Sequence, residues 1–149
     1  GYVKAVVWGD YDGDRFPDLY VSNLLGPNRL YRNNRDGTFS DQAVALGVDG
    51  PQTSFPAWFW DFDNDGVLDL FVSAYSAGID TLARGCLGYP VADKHLARLY
   101  RGDGKGGFEQ VGRQYNLNQP TTPMGSNFGD LDNDGYLDCY LGKIGRAHV

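Results

Sequence analysis

Residues 61–69, DFDNDGVLD, set four aspartates (Asp61, Asp63, Asp65 and Asp69) between two apolar runs, FPAWFW and LFVSAY. Two carboxylates about 4 Å apart repel by roughly 1 kcal/mol in water, and by about 4 kcal/mol at an effective dielectric of 20. A tip carrying four of them needs a counter-charge or must spread into solvent. The pattern occurs twice more, as DYDGDRFPD at 10–18 and DLDNDGYLD at 130–138. Acidic side chains at positions 1, 3 and 5 of a tight loop can converge on one point, and calcium loops begin with this rhythm. The expected ligands are Asp10, Asp12, Asp14 and Asp18 with the Phe16 carbonyl in the first loop. In the second they are Asp61, Asp63, Asp65 and Asp69 with the Val67 carbonyl, and in the third Asp130, Asp132, Asp134 and Asp138 with the Tyr136 carbonyl.

An all-oxygen set without clustered His or Cys disfavours zinc and copper, and magnesium keeps more of its waters, so Ca²⁺ fits best. Twelve of the 19 acidic residues lie in these loops, so the net charge of −6 arises mainly there. Gly66 and Gly135 at position 6 permit the positive φ of a sharp turn. The first loop has Arg15 at that position and Pro17 at position 8, with Gly13 at position 4 expected to relieve the turn. It is expected to be the weakest or most distorted of the three.

The flanking residues say what must position the loops. AVVWG, AWFW and GSNFG precede them, and LYVS, LFVS and CYLG follow. These short, mostly aromatic or β-branched runs read as strands, not as the helix that an EF-hand or dockerin loop requires. A second block is shared: NRLYRNNRDGTF (28–39) matches ARLYRGDGKGGF (97–108). Arg29 to Phe39 spans ten residues, as does Arg98 to Phe108, and Phe39 to Asp61 spans 22, as does Phe108 to Asp130. Only Asp69 to Arg98 is longer than its counterpart, by 18 residues near 76–93.

One unit therefore reads strand, acidic loop, strand, connector, strand, Gly-containing turn, strand, which is the sequence signature of a propeller blade. The expected fold is all-β: a partial β-propeller of four-stranded antiparallel blades with calcium-binding hairpin loops. Residues 1–143 divide into units at about 1–50 and 51–119 and an incomplete one at 120–143. Propellers close with about 4–8 blades, so part of the core-facing surface should lack a partner. Residues 144–149, IGRAHV, read as a translated sequencing-adapter tail, and the native chain is expected to continue differently past Lys143.

With loop and LYR-N-DG-TF block at fixed spacing, residues 1–142 resemble the FG-GAP (VCBS-type) repeats of integrin α-like propellers. The resemblance is nearest to the cartilage acidic protein-like, ASPIC/UnbV-associated group. It implies a calcium-bearing propeller of the seven-bladed type, usually outside the cytoplasm. The family's calcium positions fall on the twelve aspartates already named.

The acidic balance argues against a nucleic-acid partner, and no apolar run approaches the length of a membrane span. The leading function is a secreted, extracellular or periplasmic binding, adhesion or scaffold module with structural calcium and a protein or glycan ligand. The 76–93 insertion, with Asp80, Arg84 and Tyr89, is the candidate contact loop or else a surface decoration. One alternative is an assembly or filament subunit. Another is the non-catalytic part of a secreted polysaccharide-acting enzyme, for which Glu109 and Asp93 are the carboxylates outside the loops without an evident partner, and His95 a lone histidine. Trp8, Trp58 and Trp60 read as blade packing or as a sugar-stacking platform, and Arg101-Gly102-Asp103 as hairpin chemistry or a cell-attachment tripeptide. Cys86 reads as a loop thiol and Cys139 as a buried one, with a bridge between them left open.

Overall fold

The computed structural model describes residues 1–75, 78–117 and 120–143; the 144–149 tail lies outside them. Two four-stranded antiparallel sheets follow one another, each an up-and-down meander in chain order. The first holds β1 (Tyr2–Gly9), β2 (Asp18–Leu24), β3 (Arg29–Asn33) and β4 (Phe39–Asp41). The second holds β5 (Ser54–Trp60), β6 (Asp69–Ala74), β7 (Arg98–Gly102) and β8 (Phe108–Gln110). A third sheet has two strands, β9 (Pro123–Gly129) and β10 (Asp138–Lys143). Antiparallel register closes each acidic loop at the same place, with Gly9 opposite Asp18, Trp60 opposite Asp69 and Gly129 opposite Asp138. The ninth loop residue is thus the first residue of the second strand, held beside the residue that precedes position 1.

Period-2 alternation along β5 sends Ala57 and Phe59 toward the first sheet, where they join Tyr20, Leu30, Leu70 and Tyr100. Trp58 and Trp60 point the other way, with Phe71 and Leu99. The second sheet is therefore covered on both faces, and every residue of β6 is buried. That is why LFVS reads as an unbroken apolar run and not as an alternating one. Phe59 stands against Gly9 so closely that a Cβ there would lie 2.6 Å from Phe59 Cδ2. Phe128 repeats the contact one unit later, its ring 5.8 Å from that of Trp60. Among the described residues the outer face of β1 has no such cover, and Val3, Val6 and Trp8 on it are exposed, as are Met124 and Tyr140 in the third sheet. This is the partnerless surface expected of an unclosed ring.

A fully buried Asn28 ties the first sheet to the second. Its Oδ1 accepts from the Asn23 N–H at 2.8 Å, and its Nδ2 donates to the Gly50 carbonyl at 2.9 Å and to Ser54 Oγ at 2.8 Å. The insertion adds something the strand pattern did not foresee, a helix α1 (Ile79–Cys86) between β6 and β7. Its Leu, Ala and Arg favour helix. Cys86 ends that helix, and Cys139 is exposed where a buried thiol was expected; both are free. Cys139 lies on β10, which has no third strand beside it among the described residues.

Candidate metal centres

In all three loops the carboxylates at positions 1, 3 and 9 converge. Asp10, Asp12 and Asp18, then Asp61, Asp63 and Asp69, then Asp130, Asp132 and Asp138 each bring ligand atoms within 4.8 Å of one another. The backbone arranges this. Position 1 anchors the turn: Asp61 Oδ1 accepts the Asp65 N–H at 3.0 Å and its Oδ2 accepts the Gly66 N–H at 2.9 Å. Asp10 and Asp130 accept from the same two positions of their own loops. Position 9 ties the loop to the rest of its sheet. Asp69 accepts from the Phe62 and Gly102 N–H groups, both at 2.9 Å. Asp18 accepts from Tyr11 at 3.3 Å and Asn33 at 2.8 Å, the equivalent pair. Asp138 has the Leu131 N–H alone, at 2.9 Å; its counterpart of β3 or β7 is not among the described strands.

Position 3 differs in kind. Asp12 Oδ1 and Asp63 Oδ1 are buried and accept no hydrogen bond from the protein. A buried carboxylate oxygen without a donor is costly, and both lie in triads of like charge. A hard divalent cation between the three carboxylates would satisfy the orphaned oxygen and offset the repulsion. The residues present therefore fit such an ion.

Burial pushes the Asp18 and Asp69 carboxyls up to about 6, with the neighbouring loop aspartates adding to the rise. The folded chain thus favours their protonated forms. Without a cation, the stability they contribute is complete below about pH 4, the ordinary carboxylate value, and is lost as pH rises through about 6. In chelator, their contribution should lower the melting temperature between about pH 5 and about pH 7. In saturating calcium that fall should vanish, because the ion favours the charged forms; melts at both pH values, with and without calcium, check it.

The remaining expected ligands are placed differently. The position-5 residues Asp14, Asp65 and Asp134 are outside the converging triads. Each turns one oxygen back to the N–H of Phe16, Val67 or Tyr136, at 2.8 Å in every case. The loops adopt positive φ at position 4 as well as position 6, at Asn64 and Asn133 as well as Gly66 and Gly135. Gly13 therefore does not relieve Arg15, which itself sits at φ 71°. That conformation costs a residue such as arginine roughly 1–2 kcal/mol, whereas asparagine visits it more readily. Asn64 also reaches the next loop, donating to the Gly135 carbonyl at 2.8 Å.

Sequence reasoning missed two residues. Arg32 Nε lies 2.7 Å from Asp12 Oδ2, and Arg35 Nη2 lies 2.7 Å from Asp14 Oδ2. The hydrogen bond from Arg35 holds the Asp14 carboxyl below its ordinary value. A signal for both was present in the repeat, since Arg35 aligns with Gly104 and the cross-strand neighbour of Arg32 is Ser40 where Arg101 has Glu109.

The other candidates have local duties. Arg101 pairs with Glu109 at 2.6 Å. Asp103 Oδ1 accepts the Lys105 and Gly107 N–H groups of its own turn, and a Cβ on buried Gly102 would lie 2.5 Å from the Leu68 carbonyl oxygen. The tripeptide is thus built into the hairpin. Asp93 pairs with Arg113 and, at 3.7 Å, with Arg98. Trp58 and Trp60 are packed between sheets, whereas Trp8 is exposed against Phe39, ring centroids 6.3 Å apart.

A model of the FG-GAP-like repeat matches residues 10–72 and 89–141, which together contain all three loops. The chain is 43% identical to human cartilage acidic protein 1 over 54 residues, 36% of this chain and 8% of that protein. The mouse protein of the same name is 41% identical over 54 residues. The Xenopus tropicalis one is 25% identical over 142 residues, 95% of this chain and 20% of the relative. The chain thus spans a fifth or less of the curated relatives it matches.

Proposed function

The chain belongs to the FG-GAP-like repeat family, and on that premise we propose that it is a calcium-binding β-propeller repeat module, acting outside the cytoplasm as a binding, adhesion or scaffold unit. Calcium is structural in it. Each ion offsets the carboxylate repulsion within one loop and fastens the first strand of a blade to the second. One observation carries this: in both complete sheets, three convergent carboxylates include one buried oxygen that no protein donor reaches.

Extracellular calcium modules commonly bind at about 10⁻⁴–10⁻³ M, so a millimolar setting, extracellular or periplasmic, suits loops of this kind. No helix among the described residues is long and apolar enough to cross a membrane. The protein or glycan ligand meets the insertion, where Tyr89, Pro90, Val91, Leu96 and Arg113 line a cleft of about 360 Å³. A non-catalytic role is supported by the commitments of Glu109 and Asp93, the two carboxylates outside the loops that an enzyme reading needs; both are paired to arginines. The exposed Val3, Val6 and Trp8 on one open sheet and Met124 and Tyr140 on another favour a second reading, an assembly subunit. Scattering that grows with concentration and requires calcium would favour it over a monomeric binder.

Calcium titration by calorimetry tests the cages. The wild-type chain should bind at its three triads. Asp63→Asn should weaken one site at least about tenfold, since it removes a charge from three converging ligands. Calcium heats identical in the variant and the wild type would contradict the assignment of that triad.

A further inference from the structure

We infer that Arg32 and Arg35 act as built-in counter-cations of the first calcium cage, a role that rests on the proposed calcium-binding function. They make it a weaker calcium site than the second, because part of its negative charge is already balanced. The Asp12 side chain is only 7% exposed, and its two oxygens have different fates. Oδ1 has no partner, whereas Oδ2 accepts from Arg32 Nε at 2.7 Å. Asp14, equally buried, accepts from Arg35 Nε at 3.0 Å and Nη2 at 2.7 Å through its Oδ2, with Arg32 Nη2 3.9 Å away. The Arg35 guanidinium is itself seated over the Phe16 ring at 5.3 Å. Two positive charges thus already stand against the first loop's carboxylates.

The second cage lacks both. Arg101, the counterpart of Arg32, is drawn off by Glu109 across the strand pair at 2.6 Å, where the first sheet offers only Ser40. Gly104 stands where Arg35 does. A calcium ion entering the first cage meets the repulsion of two nearby guanidinium groups or must displace them from Asp12 and Asp14. At the second it meets carboxylates with no such competitor. The chain's calcium response is therefore graded, with the Asp61–Asp69 loop filling before the Asp10–Asp18 loop.

Amide shifts of the uniformly ¹⁵N-labelled chain during calcium titration resolve the loops separately, through Gly13 in the first and Gly66 in the second. The Gly66 midpoint should lie at least tenfold below that of Gly13. In Arg32→Gln/Arg35→Gln, the Gly13 midpoint should fall at least tenfold while Gly66 keeps its own. Arg35→Gln alone, a change at an exposed side chain, should move Gly13 in the same direction by a smaller factor. Glu109→Gln supplies the reverse arm: it frees Arg101 to turn toward Asp63 and should raise the Gly66 midpoint severalfold. Coincident midpoints in the wild-type chain, or a Gly13 midpoint unmoved in both arginine variants, would overturn the inference and leave the calcium cages standing. Shifts in neither loop at millimolar calcium would remove the cages and the inference together.

Discussion

Asp69→Ala should destabilise the protein by about 3 kcal/mol in chelator and by about 4–5 kcal/mol in saturating calcium. Two main-chain N–H groups, those of Phe62 and Gly102, end on this fully buried carboxylate. Each stranded buried donor costs about 1–3 kcal/mol. Removing the carboxylate returns part of its own desolvation cost, which the two lost charge-assisted bonds outweigh. The increment in calcium is the binding free energy forfeited when a triad loses a ligand. Asp138→Ala is the control. It occupies the same place in the repeat but is exposed and accepts a single backbone bond, so its cost in chelator should stay below about 1 kcal/mol. Urea unfolding of both variants with and without calcium measures this, and equal losses at the two positions would contradict it.

Asn28→Ala should cost about 3 kcal/mol, independent of calcium. Truncation strands the Asn23 N–H, leaves the Gly50 carbonyl with the Tyr100 hydroxyl and Ser54 Oγ with the Pro51 carbonyl, and opens a void in a site with no solvent exposure. Asn28→Asp should be no better. Aspartate keeps the acceptor but cannot donate to the Gly50 carbonyl, and it buries a charge. A loss under about 1 kcal/mol, or one that calcium repairs, would show that the junction between the first two sheets does not depend on this side chain. Because Asn28 lies far from the cages, its effect should add to that of Asp69→Ala.

The strands and hairpins were legible because each left a local mark: aromatic and β-branched runs, Asp-Gly turns and aspartates at fixed spacing. The repeat supplied the register, so positions 1, 3 and 9 of each loop could be aligned before any distance was known. What escaped depended on choices between competing partners. Asp14, Asp65 and Asp134 each turn one oxygen to the N–H two residues on, the local side-chain turn that aspartate favours, a partner that the ligand spacing alone does not announce. Arg32 and Arg101 are the same residue in the same register, but one faces Ser40 and the other Glu109 across the strand pair, and their ends go to different places. Asn28 gave no local sign, because two of its partners, Gly50 and Ser54, lie 22 and 26 residues away. Helix α1 falls in the stretch without a repeat counterpart, where register offers no guidance.

The melting temperature in chelator and in millimolar calcium, with magnesium as control, asks most directly whether these loops exist to hold calcium. One ion at ten times its dissociation constant adds about 1.4 kcal/mol to the folded state, and each kcal/mol is worth roughly 2–4 °C in a chain of this size. Two or three filled cages should raise the midpoint by roughly 5–15 °C in calcium, with magnesium giving much less. A midpoint unchanged up to about 10 mM calcium, tenfold above the usual extracellular range, would mean that the converging carboxylates hold no structural ion.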